Sequence, residues 1–100
     1  MKPGKIFSFW ENRGIPSQLE WNQVVKLCNY LVDNYGFTFR KAGKGSHWIL
    51  AHDLLKDYYE QLNCNYAGEY TVCMKNRKCK RIYLKHIFEA YNFIREIYDE

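Results

Sequence analysis

The run Gly36-Phe37-Thr38-Phe39-Arg40-Lys41-Ala42-Gly43-Lys44-Gly45-Ser46-His47-Trp48-Ile49-Leu50-Ala51 decides the fold. Apolar and polar residues alternate over Phe37–Arg40, the period of a strand with one buried face. Lys41–Gly45 holds two glycines and reads as a turn, and Ser46–Ala51 reads as a second strand. Together they predict a hairpin closed by a glycine-containing loop.

On its N-terminal side the period changes. Trp21, Val24, Val25, Cys28, Leu31, Val32 and Tyr35 recur at helical spacing. Ser17 and Glu20 have the spacing of a capping box, and Gly36 is placed to end the helix in a left-handed conformation. Residues 1–16, punctuated by Gly4, Gly14 and Pro16, read as an extension ahead of a single domain over 17–100. Ile6, Phe7, Phe9 and Trp10 are too apolar for a free tail and are expected to dock on the body or on a partner.

On the C-terminal side, Leu54, Leu55, Tyr58, Tyr59 and Leu62 fit a short helix over 53–62 that Asp53 is placed to cap. Asn63–Gly68 is a loop, Glu69–Lys75 alternates as a third strand, and Asn76–Lys80 reads as a basic turn. A last helix from about Arg81 carries Leu84, Ile87, Phe88, Tyr91, Ile94 and Tyr98 on one stripe. The expected fold is α+β: helix, three-stranded antiparallel sheet, helix, with an extra short helix between strands two and three. Both long helices then bury their stripes on one face of the sheet.

The chain has 100 residues, enough for one modest core, and 47% are hydrophobic, which argues against wholesale disorder. Its charge is +4, and the distribution matters more than the total. Arg40, Lys41 and Lys44 lie in one stretch free of acids. Lys75, Arg77, Lys78, Lys80, Arg81 and Lys85 lie in another. Brought together they would suit phosphate; kept apart they are two solvated loops.

The four cysteines show no CxxC spacing, so no metal site is expected, and no cofactor. Residues 1–16 show no long apolar run and no small-residue cleavage site. The cysteines are therefore expected to be free, in a reducing cytoplasm. No stretch approaches membrane-spanning length, so no membrane association is expected.

Strand alternation also assigns faces. Phe37, Phe39, Trp48, Leu50, Tyr70, Val72 and Met74 should point to the helices. The open face then collects Arg40, His47, Thr71 and Lys75, an imidazole among cations. His52 falls on the core-side parity and is expected to be structural. His86, among lysines on the last helix, is expected to be solvated.

Gly36-Phe37-Thr38-Phe39-Arg40, the short basic-glycine turn, and Gly45-Ser46-His47 opening a strand resemble the hallmark of the HicA toxins, small ribonucleases (mRNA interferases) of toxin–antitoxin pairs. Lys75-Asn76-Arg77-Lys78 leading into Tyr83-Leu84-Lys85 also resembles the basic turn and final helix of some members. The resemblance spans roughly residues 19–97. It implies a fold like that of a double-stranded-RNA-binding domain, an endoribonuclease acting on mRNA, and a HicB-like antitoxin as protein partner. It places the catalytic histidine at His47 and the tight-turn residue at Gly45. The connection over 52–68 and the sixteen residues at the front depart from the family pattern.

Metal-free RNA cleavage needs a base for the 2′-hydroxyl and an acid for the leaving 5′-oxygen, and imidazole titrates near neutrality. By the face argument Arg40, Lys44 and Lys75 would stabilise the phosphoryl charge, and Ser46 would bond a phosphate oxygen. The resemblance adds Arg77, Lys78, Lys80 and Arg81 as phosphate contacts beside Lys41. No second acid–base group is visible in the sequence. The competing readings are a non-catalytic RNA-binding module of the same fold and a protein-interaction domain that uses the apolar front.

Overall fold

Two antiparallel sheets carry four α-helices among the described residues, which are 2–43 and 45–99 of the computed structural model. In chain order the elements are α1 (Pro3–Arg13), β1 (Gln18–Glu20), α2 (Trp21–Tyr35), β2 (Thr38–Lys41) and β3 (His47–Ala51). A 3₁₀ segment (Asp53–Tyr58), α3 (Tyr59–Leu62), β4 (Glu69–Cys73), β5 (Lys78–Lys80) and α4 (Arg81–Tyr98) follow. No helix among them is long and apolar enough to cross a membrane.

The main sheet has the order β2-β3-β4. Its register pairs Phe39 with Leu50 and Leu50 with Tyr70, so these three share the core face. Arg40, Ile49 and Thr71 form the next row, on the opposite face, as the alternation requires. α2 buries Val24, Leu27, Cys28 and Leu31, and α4 buries Leu84, Ile87, Ala90, Tyr91 and Ile94. The two stripes pack against each other and the sheet, as the helical spacing predicts. Trp21 closes one end of this layer over Phe39 and Trp48, whose rings stack with centroids 5.0 Å apart.

Residues 3–13, read from sequence only as part of an extension, form α1, with a proline in its first turn where a missing N–H costs nothing. Phe7 and Trp10 enter the core. Phe7 stacks on Tyr91 at 4.0 Å, and Trp10 meets the edge of Phe88. Full burial of one such ring is worth about 1.5–3 kcal/mol, so α1 is an integral layer of the body.

Three local expectations are corrected. Ser17 and Glu20 do not make a capping box. Residues 18–20 are strand, Glu20 occupies the cap position without a side-chain bond, and the first N–H of α2, from Trp21, donates to the Arg77 carbonyl at 2.8 Å. Pairing with β5 supplies what the capping box would have.

The 53–62 segment is capped by His52, whose Nδ1 accepts from the Leu54 N–H at 3.1 Å, and not by Asp53. Gly68 makes the close return possible: a Cβ there would lie 2.6 Å from the His52 carbonyl oxygen, and its φ is +75°.

The basic turn over 76–80 is shorter than expected. Only Asn76 and Arg77 turn, both with left-handed φ, while Lys75 and Lys78 exchange two backbone bonds of 2.8 and 2.9 Å. This is the pattern of a two-residue primed hairpin, which turns the chain within the right-handed twist of the strands. Lys78–Lys80 is then β5, paired antiparallel with β1 as a second, two-stranded sheet.

Candidate functional site

His47 opens β3 on the open face, exposed, with Cys73 of β4 as its register partner. The loop before it returns tightly: the Ala42 N–H donates to the His47 carbonyl at 2.9 Å, and Gly45 has φ +99°. The Ser46 carbonyl accepts from the Met74 N–H at 2.9 Å, which carries the β3–β4 pairing one step past Cys73. That step brings the β4–β5 turn beside His47.

The result is a groove of about 240 Å³ lined by Ser46, His47, Cys73, Met74, Lys75, Lys78, Lys80 and Tyr83. Lys78 and Lys80 share one face of β5 because Cys79 between them turns into the core. On their other side the three lysines border a second recess with Gln18 and Asn76, so they form a ridge between two hollows. No carboxylate among the described residues lines either hollow. Glu20 is the register partner of Lys78, but it lines a separate recess with Trp21 and Arg77. The ion pairs among the described residues are Arg40–Glu69 and Lys56–Asp53, and neither involves the ridge. Its three lysines are exposed and make no ion pair among the described residues, and Glu20 opposite Lys78 is the acid nearest to them in the strand register, so the ridge keeps a net positive charge that suits a polyanion.

Tyr83, in the first turn of α4, is half-buried with its ring against the core. The adjacent Cys73 side chain, and then burial, raise its phenol above the usual range. Burial pushes Cys79 up to about 12, with the nearby Cys73 adding to the effect. All four cysteines are free.

Of the residues singled out from sequence, His47, Ser46, Lys75, Lys78 and Lys80 come together here. The others are placed elsewhere. Arg40 lies on the open face but bonds Glu69 at 3.2 Å, toward the far end of β3. Lys41 stands at the end of the edge strand β2, opposite Trp48, and is exposed. Arg77 points to the recess at the start of α2. The Arg81 Nε donates to the Pro16 carbonyl at 3.3 Å and lines a hollow with α1 residues. Gly45 shapes the loop, and Lys44 lies outside the described residues.

His86 is not solvated as expected: its ring stacks on Tyr70 at 5.1 Å, and burial lowers its pKa. The sequence reading missed Tyr83 and the strand character of 78–80. The signal for the second was Lys78-Cys79-Lys80 itself, polar–apolar–polar. Tyr83 sits one position before Leu84, at the rim of the α4 stripe, where packing and groove-lining roles look alike.

No three side chains of His, Cys, Asp or Glu converge as a metal-binding group among the described residues. Compared with family models, curated proteins and solved structures, the chain matches none.

Proposed function

We propose that this protein binds RNA along the ridge formed by Lys75, Lys78 and Lys80, and cleaves it at His47. On this reading it is a HicA-like toxin with a fold of the double-stranded-RNA-binding type, acting on mRNA in the cytoplasm and restrained by a HicB-like antitoxin. One observation carries the proposal: an exposed imidazole, a serine and three lysines share a groove that no acid among the described residues lines. The element order α2-β2-β3-β4-α4 supports the resemblance in fold, while α1 and the β1–β5 ribbon are additions to that plan.

In the groove, His47 takes the proton of a 2′-hydroxyl as its oxygen attacks the adjacent phosphorus. The ammonium groups hold the phosphoryl oxygens and stabilise the charge that grows on them. Ser46 is within the same lining and donates to a phosphate oxygen. The route yields a 2′,3′-cyclic phosphate and a 5′-hydroxyl.

The test is cleavage of a total-RNA pool by the wild type and by His47→Ala, with the new ends mapped. Wild-type protein should give cyclic-phosphate ends, and the variant should lose activity by about 10²–10⁴-fold, the usual contribution of a positioned acid–base group. Equal activity in the two proteins, or 5′-phosphate ends, refutes the catalytic role. RNA binding without cleavage by the wild type would establish a non-catalytic binding module instead.

A further inference from the structure

Cleavage by an internal 2′-hydroxyl needs two proton transfers, and His47 supplies one. The attacking and departing oxygens lie on opposite sides of phosphorus. The second group must therefore flank the phosphate without competing with the imidazole for the same position.

Among the described residues that line the groove, Tyr83 is a proton donor whose ring the core holds in place. Tyr83 comes from α4, whereas His47 comes from β3, and Cys73 of β4 stands between them: it is the register partner of His47 and the immediate neighbour of the Tyr83 side chain. Directly opposed strand residues have Cβ atoms about 4.5–5.5 Å apart, so His47 and Tyr83 both border Cys73 in the lining of the one groove. The Tyr83 ring is held by the core. Lys75, Lys78 and Lys80 are exposed on long stems and suit charge neutralisation better than proton delivery at a fixed point.

We infer that Tyr83 is the general acid of this site, protonating the departing 5′-oxygen of the RNA chain. The inference rests on the ribonuclease reading of the groove. As the 2′-oxygen bonds to phosphorus, its proton passes to His47. The bond from phosphorus to the 5′-oxygen breaks, its electron pair stays on that oxygen, and the phenolic proton neutralises it. Water then returns a proton to the phenolate and removes one from the imidazolium. At neutral pH the phenol carries its proton, so one is available to the departing oxygen.

The decisive substrate is an RNA whose scissile linkage, mapped beforehand with the wild type, carries sulfur in place of the bridging 5′-oxygen. A thiolate leaves without being protonated. Tyr83→Phe keeps the packed ring and removes only the hydroxyl, and its fold is checked by circular dichroism and thermal unfolding. It should cleave the oxygen substrate about 10²–10⁴-fold more slowly than wild type. On the sulfur substrate it should match the wild type. His47→Ala should be impaired on both. Normal cleavage of the oxygen substrate by Tyr83→Phe, or equal impairment on the two substrates, overturns the role of Tyr83 while leaving that of His47 standing. Wild-type protein that cleaves no RNA overturns both.

Discussion

The two ends of β3 carry the same residue type in opposite circumstances. His47 opens the strand on the exposed face, in a groove that lysines line and no carboxylate among the described residues does. His52 follows its last residue and is buried, with both ring nitrogens engaged: Nε2 is 2.8 Å from the Tyr35 carbonyl oxygen, and Nδ1 receives the Leu54 N–H. A carbonyl only accepts and an N–H only donates, so this network assigns His52 the neutral form protonated at Nε2. Phe37 packs edge-on against its ring at 4.9 Å. Five positions apart, the two residues fall on opposite parities of one strand, and that parity separates a structural histidine from one available for chemistry.

Removing each side chain in turn tests the contrast hardest. His52→Ala leaves the Tyr35 carbonyl and the Leu54 N–H without their partner and opens a void beside Phe37. Unsatisfied buried groups cost about 1–3 kcal/mol each, so the variant should lose about 2–4 kcal/mol in urea denaturation. His47→Ala, on the surface, should stay within about 0.5 kcal/mol of wild type. Comparable losses for the two would mean that His47 is a structural residue too, and the site would lose its central group.

His86 is the intermediate case and sharpens the comparison through pH. Burial lowers its pKa from 6.5, and Lys85 adds to the effect, while Glu89 opposes it. A base whose folded pKa lies below its unfolded one binds more protons when unfolded. Stability is therefore complete above the unfolded value and declines as pH falls through about 6.5 toward the folded value. Thermal unfolding between pH 7.5 and about 5.5 should show this decline in the wild type and a shallower one in His86→Gln. An unchanged slope would assign the acid sensitivity to another group. The expected shift is smaller than the loss in His52→Ala, because the His86 ring is only half-buried.

The main sheet was legible from the alternation in Phe37–Arg40 and Ser46–Ala51, whose core-side residues Phe37 and Leu50 are indeed buried. The stripes of α2 and α4 were equally clear. The β1–β5 ribbon was not, because its strands are three residues each and Gln18-Leu19-Glu20 offers one apolar residue for a period of two. The turn that launches β5 was hidden as well: Asn76-Arg77 lacks the glycine that normally marks a primed hairpin. α1 was obscured by Gly4 and by the short spacing of its two core residues, Phe7 and Trp10. For the candidate site, the sequence placed His47 and Lys75 on one face, with Ser46 beside the histidine in the chain. It had no means of separating Lys78 and Lys80 from Arg77 and Arg81, since all four lie within five consecutive residues. Strand pairing and two backbone contacts divide them: Arg77 is drawn to the start of α2, and Arg81 to Pro16.

Arg40 tests the smallest effect and the least obvious part of the contrast. It shares the open face with His47 yet belongs to the His52 end, because its guanidinium reaches across β3 to Glu69, the register partner of Ala51. The pair is largely exposed on the arginine side, so Arg40→Ala should cost about 0.2–1 kcal/mol in unfolding. Its charge is already compensated by Glu69, and its loss should therefore leave the salt dependence of RNA binding unchanged. Lys78→Ala or Lys80→Ala, by contrast, should each reduce the slope of log affinity against log salt by about 1. A slope that falls as much with Arg40→Ala as with Lys80→Ala would extend the phosphate path over the whole open face, and the division between the two ends of β3 would hold for the histidines alone.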